Sequence, residues 1–215
     1  MPPTIEADDE RVLAYAQWGD REGAPVISIH GTPGSRLDRP YDEDKIRALG
    51  IHLITYDRPG YGASDRHRGR KVIDCVSDVA IIAAELGITR FAIGGGSGGG
   101  PHVLAVAARL GDCVIRAECH VGLAPFGVDD LDFFGGMDPE NVKELEWALE
   151  GEDRLAVECA REAREYFLRL EEDPASILEN YDLPESDLAI LADPRDQEIT
   201  RQSSAEMFAS GLWGG

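Results

Sequence analysis

The stretch Phe91–Pro101 reads FAIGGGSGGGP, with six glycines and one serine in seven consecutive positions. Its apolar lead, Phe91–Ile93, reads as a short strand. Pro101–Leu110 reads as a helix, and a proline in the first turn costs no backbone hydrogen bond. Two kinds of strand-to-helix turn match the glycines. Gly94, Gly96 and Gly99 spell G-x-G-x-x-G, the close-approach turn of dinucleotide sites. Gly95, Ser97 and Gly99 spell G-x-S-x-G, a sharp turn that lifts a serine above a sheet. In the second kind the residues two before and two after the serine approach each other, so both must be small. The backbone N–H of Gly98 then points at developing negative charge, helped by the helix N-terminus.

Working outward, Val12–Trp18 alternates weakly and reads as a strand. Ala24–His30 (APVISIH) is a short apolar run, the pattern of a strand covered on both faces. The polar stretch from Ser35 turns helical towards Lys45–Leu49 and stops at Gly50. Ile51–Tyr56 is a further strand. Val72–Leu86 carries apolar residues at helical spacing and stops at Gly87. Val114–Leu123 contains one more strand. Strands and helices thus alternate, which predicts an α/β fold with a mostly parallel sheet and helices on both faces. Sites in such sheets lie at the carboxyl ends of strands. After Ala124-Pro125 no strand signal remains. Asp138-Pro139, Asp173-Pro174 and Asp193-Pro194 each pair an N-cap with a first-turn proline and open a helix. Glu152–Leu170 is a strongly charged helix, and a short one is expected over Pro184–Leu191.

The 215 residues are 43% hydrophobic and 29% charged, room for one sizeable core and a small accessory domain. No apolar run reaches the ~20 residues of a membrane span, so no membrane association is expected. MPPTIEADDE has neither the basic nor the apolar part of a secretory leader. Cys75, Cys113, Cys119 and Cys159 form no CxxC pair and no metal-ligand spacing, which suits free thiols in a reducing, cytoplasmic compartment. The net charge of −20 is uneven: residues 1–125 hold 17 acidic and 14 basic side chains, residues 126–215 hold 24 and 7. Nucleic acid would be repelled. The acidic half reads first as a solvated helical surface, and second as a field that draws in cationic substrates.

Two more stretches decide between the turns. His30-Gly31-Thr32-Pro33-Gly34 (HGTPG) and Asp57–Asp65 (DRPGYGASD) both end strands, on the same sheet edge as the serine turn. The dinucleotide turn would ask for an acidic residue ~20 positions on. Glu118 stands there, but inside its strand. No Lys follows to make a P-loop.

The three ordered motifs together resemble the α/β-hydrolase superfamily, in particular its branch of proline-iminopeptidase-like, epoxide-hydrolase-like and dehalogenase-like enzymes. The likeness covers about residues 11–125. It implies residues 1–125 as the N-terminal part of the core and 126–215 as an acidic helical cap, incomplete here. It implies Ser97 as nucleophile and the backbone N–H of Thr32 as the oxyanion donor that joins Gly98. Gly95, Gly99, His30, Gly31 and Gly34 support the elbow and loop. A serine at the elbow argues against epoxide hydrolases and dehalogenases, which use Asp there. The implied reaction is hydrolysis of a small ester or amide, with no cofactor and no metal; an acidic cap suits an amine-bearing substrate.

Serine needs a base, and the base an orienting carboxylate. In this family both follow the serine, the acid before the histidine. The histidines are His30, His52, His67, His102 and His120. His30 braces its loop. His52 and His120 sit in strands, and His67 in a solvated loop. His102, five residues past Ser97, points away from it. Asp129 and Asp130 stand where some relatives place the acid, with no histidine after them to orient. The expectation is therefore that the chain stops within or just after the cap, before the last two strands, the acid and the histidine. The alternatives are a non-catalytic binding protein of the same fold and a Rossmann-type nucleotide-binding domain.

Overall fold

The computed structural model describes residues 1–172, 184, 185, 188 and 192–209, with the side chains of 166–172 excepted. Six strands form one sheet: β1 (Thr4–Glu6), β2 (Val12–Gly19), β3 (Ala24–Ile29), β4 (Ile51–Tyr56), β5 (Phe91–Gly96) and β6 (Val114–His120). Their order across the sheet is β1-β2-β4-β3-β5-β6. The pairs β1–β2 and β2–β4 are antiparallel, whereas β4–β3, β3–β5 and β5–β6 are parallel. A parallel pair needs a crossover. These are supplied by α1 (Glu43–Ala48), α2 (Cys75–Glu85, led by a tight turn at Val72–Asp74) and α3 (Gly100–Arg109).

The most completely buried strand is β4, for a physical reason. β4 lies between β2 and β3, and every position from His52 to Tyr56 is buried. Ile27, Ile29, Ile54, Phe91 and Ile93 from the sheet share one core with Val79 and Ile82 of α2 and Val103 and Val106 of α3. Each such side chain contributes roughly 1.5–3 kcal/mol when fully buried. Ile46 of α1 is buried apart from that cluster, and a Cβ on Gly19 would collide with it. β6 closes one edge of the sheet, with Ile115–His120 exposed.

The chain leaves β3 on one side to make β4 and returns on its other side as β5. That switch opens a crevice at the carboxyl ends of β4, β3 and β5. All three sequence motifs hang from those ends.

The chain divides into two compact units: residues 1–123 with the C-terminal segment from 190, and residues 124–189. Within the second unit, α4 (Pro139–Glu150) and α5 (Glu152–Glu172) pack together. Trp147 is buried there, and Lys143 reaches Glu140 and Glu162 at 2.9 and 3.0 Å. The last helix, α6 (Pro194–Met207), goes with the sheet. The sequence reading had grouped it with the acidic segment after 125. Its docking uses side chains that no periodicity displays: Ser203 meets Ser35 at 3.0 Å and Glu206 meets Arg36 at 2.5 Å.

The expected N-caps are present where they can be inspected. Asp138 accepts from Glu140 N and Asp193 from Arg195 N, both at 2.9 Å. The helices expected after Asp173 and over Pro184–Leu191 lie outside the described residues or nearly so. Two strand features differ from expectation. β1 was not foreseen, and β5 runs on through Gly94–Gly96, where no side chains exist to show alternation.

Candidate functional site

At the tip of β5 the backbone of Ser97 is held at φ 50°, the left-handed region that a non-glycine residue rarely adopts. Ser97 is exposed, while Gly98, Gly99 and Gly100 behind it are buried. Its hydroxyl makes no hydrogen bond among the described residues. The flanking glycines are forced by close approach. A Cβ on Gly95 would lie 2.7 Å from Ile29 O and 3.0 Å from a Val103 methyl. One on Gly99 would lie 2.8 Å from His30 O. The two residues also face each other, Gly95 Cβ to Gly99 O being 3.3 Å, but the tighter pressure comes from the end of β3. A nucleotide reading finds less: Glu118 pairs with Gly94 in mid-strand, is exposed, and faces His120 at 3.3 Å.

The HGTPG loop lies beside this turn. A Cβ on Gly31 would stand 3.4 Å from Ser97 Cβ and 3.9 Å from its Oγ. A Cβ on Gly98 would stand 3.2 Å from Thr32 N and clash with the Thr32 hydroxyl. The Thr32 N–H donates to no protein group among the described residues. Gly34 is pressed against His30, whose Nδ1 would be 2.7 Å from an added Cβ. Ser97, Gly98, Gly31 and Thr32 are thus gathered at one point, with Gly95, Gly99, His30 and Gly34 packed behind them.

The DRPGYGASD loop braces the other side. His30 Nδ1–H donates to Gly31 O at 2.8 Å, and its Nε2 accepts from Arg58 N–H at 3.0 Å. Those two bonds require the neutral Nδ1–H tautomer. Burial, then the Arg58 charge, holds the imidazole well below its ordinary range. The ring also stands edge-on to Tyr61 at 5.0 Å. Asp57 is fully buried and accepts from Arg36 N at 2.6 Å, the Arg36 guanidinium at 2.5 Å and Ala63 N at 3.0 Å. Gly62, at φ 52°, is the residue that lets this loop close over Asp57. Gly62 N also donates to Met207 O of α6 at 3.2 Å.

His102 is occupied as well. Its Nδ1–H donates to Gly98 O at 2.9 Å and its Nε2 accepts from Arg70 at 3.1 Å. Burial, with Arg58 and Arg70 nearby, lowers it to about 4. Both buried histidines beside the turn therefore spend both nitrogens on structure. His52 is buried against Gln17 at 2.8 Å, and His120 is exposed on the edge strand. His67 departs from the solvated loop residue expected: it is half-buried, with Nδ1 enclosed and unbonded. Asp129 and Asp130 are exposed in the second unit. Sequence reasoning missed three groups that shape the site: Arg58, Arg36 and α6. The signal for Arg58 was present, a cation inside a glycine-rich loop; Arg36 carried none, and α6, foreseen as a helix at Asp193-Pro194, carried none for its place beside the motif loops.

The alpha/beta hydrolase fold family matches over residues 24–213, and the chain belongs to that family. A proline iminopeptidase of Xylella fastidiosa is 36% identical over 107 residues, 46% of this chain and 33% of its own length. A non-heme chloroperoxidase of Streptomyces lividans is 33% identical over 109 residues, 49% of this chain and 39% of its own. The aligned stretch therefore spans only about a third of such relatives. Among solved structures, an alpha/beta hydrolase fold protein from Nakamurella multipartita superposes with a TM-score of 0.61 at 24% identity. That match covers 93% of this chain and 66% of the other.

Proposed function

We propose that this chain carries the nucleophile and the oxyanion-binding part of a hydrolase that cleaves a small ester or amide. Ser97 Oγ attacks the carbonyl carbon, its proton passing to a base and then to the alcohol or amine that leaves as the C–O or C–N bond breaks; water then hydrolyses the acyl-serine. The Gly98 and Thr32 N–H groups hold the oxygen as it becomes negative, where the loss of one donor typically costs ~10²–10³ in rate. The observation that carries this is the left-handed, exposed Ser97 between two glycines, at the switch point of a parallel sheet. Membership of the family and the likeness to a proline iminopeptidase support it. The acidic cap reading of the segment after 125, and an amine-bearing substrate with it, belongs to the same proposal. A fluorophosphonate probe tests it: Ser97 is labelled in this chain, or in a longer product of the same reading frame, and Ser97→Ala is not.

A second reading has one observation in its favour. His30 and His102 have no free ring nitrogen, so neither serves as the base that serine needs. A binding protein of the same fold would show this. Absence of labelling in both the chain and the longer product decides for it.

A further inference from the structure

Two arginines beside the turn are buried in different company. Arg36 faces two carboxylates, Asp57 and Glu206, both at 2.5 Å. Arg58 is 3% exposed and takes part in no ion pair among the described residues. Its Nη2 donates instead to Gly31 O and to Thr32 Oγ1, both at 2.7 Å. Its backbone N–H holds His30, and its guanidinium lies 4.9 Å above the Tyr61 ring. Its Nε is enclosed and has no acceptor among the described residues. A buried cation is costly unless a negative charge comes near. Its side chain also hydrogen-bonds Tyr61; the other two groups it holds, Gly31 O and Thr32 Oγ1, belong to the residues that stand against Ser97 and Gly98.

We propose that Arg58 is a positioning residue for the Ser97 turn, fixing the Gly31–Thr32 segment beside Gly98 and lending it an uncompensated positive charge. Resting on the proposed hydrolase reading, this assigns two separable actions. The bridge sets where the Thr32 N–H points. The charge favours the oxyanion as it forms, because a buried guanidinium already fixed in place needs no reorganisation when the charge appears. The same charge disfavours a cationic group close to the reacting carbonyl, so an amine-bearing substrate would have to carry its ammonium well away from this point.

Arg58→Lys keeps the charge and loses the two-armed bridge; Arg58→Met loses both. The rate constant for fluorophosphonate labelling of Ser97 should fall on the order of tenfold in Arg58→Lys and ~10²-fold in Arg58→Met. A merely structural role predicts the same loss in both. Nuclear magnetic resonance gives a readout that needs no reactivity. The Thr32 and Gly98 amide resonances should move in both variants. The His30 ring should begin to titrate at higher pH in Arg58→Met than in Arg58→Lys, since only the former loses the charge that faces it together with Arg70 and His102. If Ser97 is labelled in no variant, the hydrolase reading fails and the amide and ring signals alone decide on Arg58. Should Arg58→Met not fold, Thr32→Val replaces it; removing the acceptor hydroxyl should slow labelling and shift the Gly98 amide in the wild-type background and add nothing to Arg58→Lys. Unmoved Thr32 and Gly98 amides in Arg58→Lys, or labelling as fast as wild type, would overturn the proposal.

Discussion

The two compact units of this chain are held by different forces. The sheet unit buries a continuous apolar cluster from β1–β5, α2 and α3, and its buried charges are paired or hydrogen-bonded. The helical unit buries little among its described side chains, Trp147 and Ala163 chief among them. Its α4 and α5 instead carry ladders of exposed pairs, such as Arg154 with Glu150 and Arg161 with Glu165. Burial orders a backbone to within tenths of an ångström because any slip opens a void. Exposed pairs contribute little and are screened by salt. The unit with the apolar core is therefore the one able to hold Ser97 at φ 50°.

Four perturbations sharpen that contrast, each read by urea unfolding with Trp18 reporting on the sheet unit and Trp147 on the helical one. The largest effect is expected from Ile54→Ala, since Ile54 is fully buried in the central strand. It should cost about 4 kcal/mol in the Trp18 transition, near the upper part of the range for such truncations. An effect below ~1 kcal/mol would contradict the burial.

Acid comes next. His102 is neutral when folded and lowered from 6.5 to about 4. Between those values the unfolded chain takes up a proton that the native state refuses. The stabilisation is complete above pH 6.5 and is lost progressively as pH falls through 4. The loss is on the order of 3 kcal/mol. In His102→Gln, which needs no such proton, the Trp18 transition should be less steep in pH over that window. An unchanged slope would place the acid sensitivity elsewhere.

Glu206→Gln removes one of the two carboxylates on Arg36 and loosens α6 from the motif loops. A cost of about 2 kcal/mol is expected, the range of a hydrogen bond to a charged group. Hydrogen exchange should rise in 194–207 before it rises in β4. The smallest effect belongs to the helical unit. Lys143→Met should shift the Trp147 transition by less than ~1 kcal/mol, and ~1 M salt should erase the difference. A larger shift, resistant to salt, would mean that those pairs matter more than their exposure allows.

Much of the architecture was legible before any coordinates. β4 matches its expected bounds, Ile51–Tyr56, because the Gly50 stop before it and the Gly- and Pro-rich loop from Asp57 after it mark both ends. α3 matched within one residue at each end, since Pro101 and the apolar spacing mark it. The serine turn was legible because G-x-S-x-G follows a steric rule; in the fold, a side chain at Gly95 or Gly99 would collide chiefly with the end of β3. β1 escaped because a three-residue strand is defined by its ladder to β2, a partner rather than a pattern. His67 was misjudged because exposure in a loop depends on what folds over it.

By itself, the sequence determined which segments become strands and helices, β1 excepted, and which serine stands on the turn. Those properties follow from local sterics and from the periodicity of burial, which each segment carries within itself. Only the tertiary structure decided that α6 returns to the sheet unit, that Arg36 meets two carboxylates and that Arg58 meets none among the described residues. Partners 170 residues apart, as Arg36 and Glu206 are, leave no trace in either neighbourhood. Their meeting is fixed by where α6 docks on the loops that follow β3 and β4.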